Sequence, residues 1–209
     1  ANILTPFSPL VTKKINELLS MEVPVDMIAT SHGVIWRDNP AQNVEQYLKW
    51  ADAYRENQIT IIYDTMWDST RHLAEAIAEG IHTADPEVNL KLMNSSDRDK
   101  NDIVTEAFAS KAVLMGSPTI NRGILTSIAA LLEEIKGLKF RGKKAAAFGC
   151  YGWSGESVPF ITKSLEECGF EIVDDGFKAL WAPDEESIKA AYGYGRKFAE
   201  ALSGMTVSA

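Results

Sequence analysis

Hydroxyl side chains cluster where a short β-branched run gives way to a helical pattern. The run Ile59–Tyr63 is followed by Thr65, Ser69 and Thr70. The apolar residues beyond them recur at a spacing of four, which predicts a helix that begins near Ser69. The N-terminus of a helix exposes unpaired amides and the positive end of its dipole, so hydroxyls placed there are suited to binding a phosphate. A simple helix cap by Ser69 is the alternative, and this stretch alone favours neither interpretation.

Two more loops of unusual composition follow later predicted strands. The loop 117–123 reads Ser-Pro-Thr-Ile-Asn-Arg-Gly, and the loop 149–156 reads Gly-Cys-Tyr-Gly-Trp-Ser-Gly-Glu. Either loop alone could be ordinary turn chemistry. Because the carboxyl ends of parallel strands meet at one edge of a sheet, we expect all three loops to lie together. Hydroxyls in one loop and aromatic residues in another suit a flat aromatic ligand that carries a phosphate.

The elements that must position these loops alternate regularly between strand and helix. Strands are predicted at Ile59–Tyr63, Val88–Met93, Ala112–Gly116, Lys144–Gly149 and Phe170–Val173. Helices are predicted at Ser69–His82, Asp99–Ser110, Arg122–Lys136, Glu156–Cys168 and Asp184–Leu202. This alternation predicts an α/β fold, a doubly wound five-stranded parallel sheet of order 2-1-3-4-5 with helices on both faces.

The predicted sheet accounts for residues 58–203 and leaves a shorter leading segment. Residues 1–57 contain two predicted helices and at most two short strands, which is too little for a core of their own. We therefore predict that they are a partial α+β remnant, either a fragment of something larger or an appendage of the sheet. The tail 204–209 is small and polar and is predicted to be disordered.

Composition excludes several classes of partner. The 209 residues are 45% hydrophobic and 24% charged, with a net charge of −8 and no long Lys/Arg cluster. Nucleic acids and anionic membranes are recognised by clustered positive charge, so neither is an expected partner. No apolar run approaches the ~20 residues that span a bilayer, and no basic-then-apolar signal pattern opens the sequence. We expect a cytoplasmic protein.

Several common sites are excluded by spacing. Cys150 and Cys168 form no Cys-x-x-Cys pair, so a zinc ribbon, a rubredoxin-type iron site and a thioredoxin motif are absent from the sequence. No Gly-x-x-x-x-Gly-Lys run of a nucleotide triphosphatase occurs. A phosphoacceptor receiver domain needs an aspartate at the end of the third strand, where this chain has Gly116 and Ser117. Of the three histidines, His32 alone has an interesting setting, beside Gly33 at a strand end.

The three loops resemble, in the same order, the flavin-binding loops of the flavodiiron protein family. Residues 65–70 (Thr-Met-Trp-Asp-Ser-Thr) are similar to the phosphate loop of the family, and residues 117–119 and 151–156 are similar to its second and third flavin loops. Residues 31–37 (Ser-His-Gly-Val-Ile-Trp-Arg) resemble the end of its metallo-β-lactamase-like domain. The resemblance covers nearly the whole chain and implies a flavodoxin-like fold for residues 58–203.

The resemblance implies FMN as the cofactor and an electron-transfer role. In the full-length family protein, FMN takes electrons from a rubredoxin-type donor and passes them to a diiron centre, which reduces nitric oxide or oxygen in a homo-oligomer. Residues 1–57 would be the end of the diiron domain, with His32 as one iron ligand. The His-x-Glu-x-Asp-His run of the family is missing from the sequence, so we expect His32 to bind no iron here and the chain to transfer electrons only.

The resemblance assigns roles within the loops. Thr65, Ser69 and Thr70 would hold the phosphate, Trp67 and Trp153 would contact the flavin ring, and backbone groups of the other two loops would line its edge. Trp36, Trp50 and Trp181 lie outside the loops and are expected to pack. The full predicted set is Thr65, Met66, Trp67, Asp68, Ser69, Thr70, Ser117, Pro118, Thr119, Ile120, Asn121, Gly123, Gly149, Tyr151, Gly152, Trp153, Ser154 and Gly155.

Asp68 departs from the pattern of the family, which commonly has glycine at this position. A carboxylate near a phosphate is repulsive by roughly 1 to 4 kcal/mol, so we expect its side chain to face solvent. The alternative function is a flavodoxin-like quinone reductase that takes hydride from NADH or NADPH. Direct reduction by a nicotinamide would distinguish it from an electron carrier.

Overall fold

The computed structural model describes residues 5–204. Residues 1–4 of the predicted leading segment and residues 205–209 of the predicted tail lie outside this range. The helices are α1 (Ser8–Leu19), α2 (Pro40–Ala51), α3 (Ser69–Ala84), α4 (Lys100–Ala109), α5 (Thr126–Leu138), α6 (Ser157–Glu167) and α7 (Glu185–Ala201). The strands are β1 (Ile28–Ala29), β2 (Ile35–Trp36), β3 (Glu56–Tyr63), β4 (Asn89–Asn94), β5 (Ser110–Gly116), β6 (Lys144–Tyr151), β7 (Glu171–Ile172) and β8 (Phe177–Leu180). None of the helices within this range is long and apolar enough to cross a membrane.

A parallel sheet organises the chain from residue 56 onwards. Its strands lie in the order β4-β3-β5-β6, and β7 and β8 share the next position because both pair with β6. Every pairing in this sheet is parallel. In the numbering of the predicted strands this is the order 2-1-3-4-5, so the predicted fold class is confirmed.

The edge position of the sheet is filled by two short strands where one was predicted. The predicted strand Phe170–Val173 corresponds to β7, and β8 is an addition that the sequence analysis missed. The extended strand is interrupted between β7 and β8, and Gly176 in this interruption has a φ of +84°. A Cβ atom at Gly176 would lie 2.5 Å from the carbonyl oxygen of Ala147, so the segment between β7 and β8 packs directly against β6. β8 then continues this edge of the sheet, and its last residue, Leu180, pairs with Tyr151 at the end of β6.

Helices cover both faces of the sheet and bury its apolar strands. Helices α4, α5 and α6 pack on one face, where Ile62, Val113 and Ala147 contribute to the core. Helices α3 and α7 pack on the other face, where Ile61, Leu114 and Phe148 contribute. Strands covered on both sides explain why their sequences are apolar without alternation.

Helix α5 begins at Thr126, four residues later than predicted. The residues before it form a tight turn in which Ile120 and Gly123 pair across the chain. Asn121 and Arg122 have φ values of 49° and 60°. Two consecutive left-handed residues form a type I′ turn, which is incompatible with a right-handed helix. The turn holds the second loop away from the helix and toward the sheet edge.

The leading segment forms a helical hairpin with a small ribbon. Helices α1 and α2 pack on each other, and β1 pairs with β2 in an antiparallel ribbon. Neither helix contains a buried residue. Large apolar side chains are exposed here, among them Leu18, Met21 and Val34. The assignment of residues 1–57 to another domain stays a prediction.

Lys143 is buried at the end of the sheet opposite to the three loops. Its side-chain nitrogen donates hydrogen bonds to the backbone oxygens of Tyr54 at 2.6 Å, Phe108 at 2.6 Å and Ser110 at 2.7 Å. The nitrogen also lies over the rings of Phe108 and Phe140, at 5.6 and 5.9 Å from their centroids. The three donated bonds need the protonated amine, but desolvation by burial outweighs them and lowers the pKa of Lys143 from 10.5 to about 7.

This lysine predicts a stability that rises with pH. Above pH about 7 the folded chain releases a proton from Lys143 that the unfolded chain keeps. The free energy of unfolding should therefore increase by up to about 1.4 kcal/mol per pH unit between pH about 7 and about 9.5. Urea unfolding across this range measures the slope. Lys143→Met is the control, because its slope should be flatter by that amount; identical slopes for the two proteins would contradict the prediction.

Candidate functional site

An open cleft of about 720 Å³ lies at the carboxyl edge of the parallel sheet. Its walls come from the loops that follow β3, β5 and β6, and from the residues that follow β8. The lining residues are Met66, Trp67, Ser69, Pro118, Thr119, Ile120, Asn121, Arg122, Cys150, Tyr151, Gly152, Trp153, Ser154, Trp181 and Ala182. The three loops that the sequence analysis singled out therefore form one site.

The first loop presents the N-terminus of α3 to this cleft. No side chain among the described residues caps the helix, whose N-cap residue Asp68 has a left-handed φ of 62°. Ser69, the first helical residue, lines the cleft. Just before it, the Thr65 hydroxyl oxygen is buried without a hydrogen-bond partner among the residues that the structure describes. An uncapped helix end beside an unsatisfied hydroxyl is suited to receive an anion.

Asp64 anchors this loop to its neighbours. Its carboxylate accepts hydrogen bonds from the backbone amide of Thr65 at 2.7 Å and from the Ser96 hydroxyl at 2.8 Å. The Ser127 hydroxyl donates to the same carboxylate. Asp64 therefore connects the first loop to the residues after β4 and to α5. These bonds hold in place the start of the loop that leads into α3.

The Asp68 side chain points outward, as the sequence analysis expected. It is 57% exposed, and its Oδ1 accepts a hydrogen bond from Arg71 Nε at 2.9 Å. The bond to Arg71 lowers the pKa of the Asp68 carboxyl below its usual value. The carboxylate is thus paired on the solvent side. The left-handed φ of Asp68 is a conformation that glycine would adopt freely.

The second and third loops are joined by hydrogen bonds. The Thr119 amide donates to the Cys150 carbonyl at 2.8 Å. The Thr119 hydroxyl donates to Ser157 Oγ at 3.0 Å and accepts from the Ser157 amide at 3.2 Å. Within the second loop, Ser117 Oγ accepts from the amide of Leu125 at 3.0 Å. These bonds hold the two loops as one wall of the cleft.

Three tryptophans stand around the cleft. Trp67 is 87% exposed, Trp153 is 89% exposed and Trp181 is 55% exposed. Trp153 and Trp181 contact each other edge to face, with ring centroids 5.0 Å apart. Exposed aromatic rings grouped at one cleft are the surface that a flat aromatic ligand requires.

The cleft wall includes part of the predicted set. Met66, Trp67, Ser69, Pro118, Thr119, Ile120, Asn121, Tyr151, Gly152, Trp153 and Ser154 line it, whereas Thr65, Asp68, Thr70, Ser117, Gly123, Gly149 and Gly155 lie behind or beside it. Thr70 is fully buried, with its hydroxyl 3.3 Å from the sulfur of Cys150. A Cβ atom on Gly149 would lie 2.1 Å from the Ser117 carbonyl oxygen, so this glycine permits close packing of the two loops.

Four lining residues are missing from the predicted set: Arg122, Cys150, Trp181 and Ala182. Arg122 and Cys150 lie inside the second and third loops, so their positions in the sequence could have placed them in the site. Trp181 was expected to be a packing residue outside the site. It does pack, against Trp153, but it also lines the cleft, because it follows the unpredicted strand β8. Burial raises the pKa of the Cys150 thiol, which keeps the group neutral in the cleft wall.

His32 lies far from this cleft, in a second groove beside the leading helices. The groove has a volume of about 1200 Å³ and is lined in part by Tyr47, Trp50 and Phe108. His32 Nδ1 is 3.0 Å from the Ser31 hydroxyl. Among residues 5–204, no group of three or more His, Cys, Asp or Glu side chains is arranged to hold a metal ion.

Comparison with known proteins places the chain in a family. The flavodoxin family model matches residues 61–195. The anaerobic nitric oxide reductase flavorubredoxin of Aliivibrio fischeri is 54% identical over 210 residues, covering 100% of this chain and 42% of that protein. Its counterpart in Escherichia coli K12 is 53% identical over 199 residues, covering 95% of this chain and 41% of that protein. The chain thus spans about two fifths of the length of these relatives.

Solved structures agree with the sequence comparison. The rubredoxin oxygen:oxidoreductase of Desulfovibrio gigas has a TM-score of 0.91 and 33% identity, over 98% of this chain and 51% of that chain. The flavodiiron protein of Giardia intestinalis has a TM-score of 0.88 and 29% identity, over 96% and 49%. These matches confirm the predicted resemblance to flavodiiron proteins. The chain belongs to the flavodoxin family.

Proposed function

We propose that this chain is the FMN-binding electron-transfer module of a larger flavodiiron protein. It accepts electrons from a rubredoxin-type donor and passes them to a diiron centre that reduces nitric oxide or oxygen. The observation that carries the proposal is the single cleft in which an uncapped helix end and three tryptophans meet. Flavodoxin-family domains bind FMN, so the predicted cofactor is confirmed at the level of the family.

The residues of the cleft fit the two ends of FMN. The amides at the start of α3, with Ser69 and the unsatisfied hydroxyl of Thr65, would hold the phosphate. Trp67 and Trp153 would contact the isoalloxazine ring, and the backbone of the second and third loops would line its edge. Bound FMN supplies the redox chemistry, since its ring takes up and releases electrons.

The wall of the cleft supports electron transfer over acid–base catalysis. Among the described residues that line the cleft, Arg122 is the one charged residue, and no carboxylate or histidine lines the cleft with it. The Cys150 thiol is held neutral by its raised pKa, so it is not an activated nucleophile. The side chains of this wall bind, orient and exclude water, which is what an electron carrier requires.

The rest of the proposal concerns the intact protein. We infer that residues 1–57 are the end of an upstream diiron domain, in which His32 would be one of several iron ligands. The full-length protein would be a cytoplasmic homo-oligomer in which the flavin of one subunit lies near the diiron centre of another. The names of the D. gigas and A. fischeri relatives support a rubredoxin-type donor.

Flavin binding is tested by a visible spectrum of the chain after FMN is added and excess is removed. Stoichiometric flavin bands are expected, and riboflavin should bind more weakly because it lacks the phosphate. A colourless protein that takes up no FMN would refute the proposal.

Electron entry is tested by stopped-flow mixing of the FMN-loaded chain. Reduced rubredoxin should reduce it rapidly, whereas NADH and NADPH should reduce it slowly. Rapid direct reduction by either nicotinamide would instead identify a flavodoxin-like quinone reductase.

Asp68→Gly is expected to bind FMN at least as tightly as the parent chain. Glycine tolerates the left-handed backbone at this position, and the change removes a negative charge near the start of α3. Quenching of FMN fluorescence measures the affinity. Asp68→Asn, which removes the charge and keeps the side-chain size, should behave similarly. A clear loss of affinity in both variants would mean that the carboxylate and its pair with Arg71 support the loop.

A further inference from the structure

Trp181 has a backbone conformation that large residues rarely adopt. Its φ is +56°, in the left-handed region. The residue directly follows β8, and its amide donates to the Tyr151 carbonyl at 2.7 Å, which extends the pairing of β8 with β6. A bulky side chain in this region of φ is an outlier that the surrounding structure must hold in place. The pairing of β8 with β6 therefore holds the backbone of Trp181 at the edge of the cleft.

The ring of Trp181 lies over Gly152 in the third loop. A Cβ atom on Gly152 would be 2.8 Å from Cζ3 and 2.9 Å from Cη2 of the indole. Any larger residue at 152 would push the ring away. Glycine at this place has no positive φ to explain it, so the space that it leaves for the indole is what the structure uses.

The same ring supports Trp153. The two indoles contact at a centroid distance of 5.0 Å and an interplanar angle of 70°. Trp153 is 89% exposed, so little else packs against it. Edge-to-face contact is a favourable arrangement of two aromatic rings and limits the rotamers of both.

We propose that Trp181 is a positioning residue, which holds Trp153 in the orientation that contacts the flavin ring. This inference rests on the proposed function, because it assumes that FMN occupies the cleft. Gly152 is the third member of the arrangement, since it admits the ring of Trp181. Through Trp153, Trp181 also sets the apolar surroundings on which the flavin reduction potential depends.

A double-mutant cycle tests this role. Trp181→Ala should weaken FMN binding about fivefold and shift the reduction potential of the bound flavin, whereas Trp181→Phe should recover most of the affinity. In a Trp153→Ala background, Trp181→Ala should have almost no further effect, because the residue through which it acts is absent. The unfolding temperature of the FMN-free chain should change little in every variant.

Gly152→Ala provides an independent test from the other side of the contact. The added methyl group displaces the Trp181 ring, so it should reproduce the loss of affinity and the shift in potential. Gly137→Ala is the matched control, because a Cβ atom there has no neighbour within 4 Å in the part of the chain that the structure describes. The circular dichroism signal of the coupled indoles should fall in Gly152→Ala and Trp181→Ala even without FMN.

The outcomes separate this inference from the proposed function. If the parent chain takes up no FMN, the proposed function fails. If it binds FMN, but Trp181→Ala has the same effect with and without Trp153, the positioning role is refuted. Unchanged affinity and potential in both Trp181→Ala and Gly152→Ala would refute it equally.

Discussion

Gly195→Ala is expected to destabilise the fold by about 2 to 3 kcal/mol, despite the higher helix propensity of alanine. Gly195 lies in α7 where this helix packs on α3. A Cβ atom there would be 2.1 Å from the carbonyl oxygen of Ile77, and one on Gly80 would be 2.0 Å from the carbonyl oxygen of Tyr192. Both obstacles are backbone atoms of the facing helix, so no side chain can rotate away and the helices must separate.

Gly193→Ala is the matched control for this prediction. It lies in the same helix, two residues before Gly195, and a Cβ atom there would meet no atom of residues 5–204 within 4 Å. The substitution should stabilise the chain by about 0.5 to 1 kcal/mol through helix propensity alone. Urea unfolding of the three proteins measures the difference. Equal effects of the two alanines would mean that α3 and α7 are not in close backbone contact.

The close packing of α3 on α7 matters for the cleft as well as for stability. Helix α3 carries Ser69 at its N-terminus, so separation of the two helices would move the proposed phosphate site. Gly195→Ala should therefore also weaken FMN binding, whereas Gly193→Ala should not. The sequence did not indicate this contact, because a glycine inside a helical pattern signals only a lower propensity.

The fold was largely predictable because the strands of the sheet are buried on both faces. Short apolar runs separated by helical patterns leave few alternatives to a parallel sheet. The two misjudged elements have local causes. Strand β8 has the sequence Phe-Lys-Ala-Leu after an Asp-Asp-Gly turn, and it is stabilised by pairing with β6 rather than by its own pattern. Helix α5 begins later than predicted because Asn121 and Arg122 have left-handed conformations. The tight turn requires these conformations, and the residue types alone do not indicate them.

The candidate site was predictable to the extent that it depends on strand order. Three loops that follow strands at the centre of a parallel sheet must share an edge, so the sequence brought Trp67 and Trp153 to one cleft. Trp181 was not predicted to line the cleft, because its place there depends on β8. The unsatisfied hydroxyl of Thr65 and the solvent-side pairing of Asp68 with Arg71 depend on atomic positions, which residue spacing does not specify.

Ser69→Asp should reduce FMN affinity about 100-fold and leave the fold intact or slightly more stable. Ser69 is the first residue of α3 and lines the cleft, so an aspartate there faces the space proposed for the phosphate. Repulsion between a carboxylate and a phosphate within a few ångströms costs roughly 1 to 4 kcal/mol at intermediate dielectric. The same carboxylate interacts favourably with the positive end of the helix dipole, by about 0.3 to 1 kcal/mol. Affinity and stability should therefore change in opposite directions, which a general disruption of the loop would not produce.

Riboflavin and Ser69→Asn separate charge from shape in this experiment. Riboflavin has the same ring without the phosphate, so its affinity should fall less than about threefold in Ser69→Asp, because the repulsive partner is missing. Asparagine matches aspartate in size but carries no charge, so Ser69→Asn should retain most of the FMN affinity. Fluorescence titration of the parent chain and both variants with each flavin measures the six affinities. An equal loss for FMN and riboflavin would indicate a steric effect, and an unchanged FMN affinity would place the phosphate away from the start of α3.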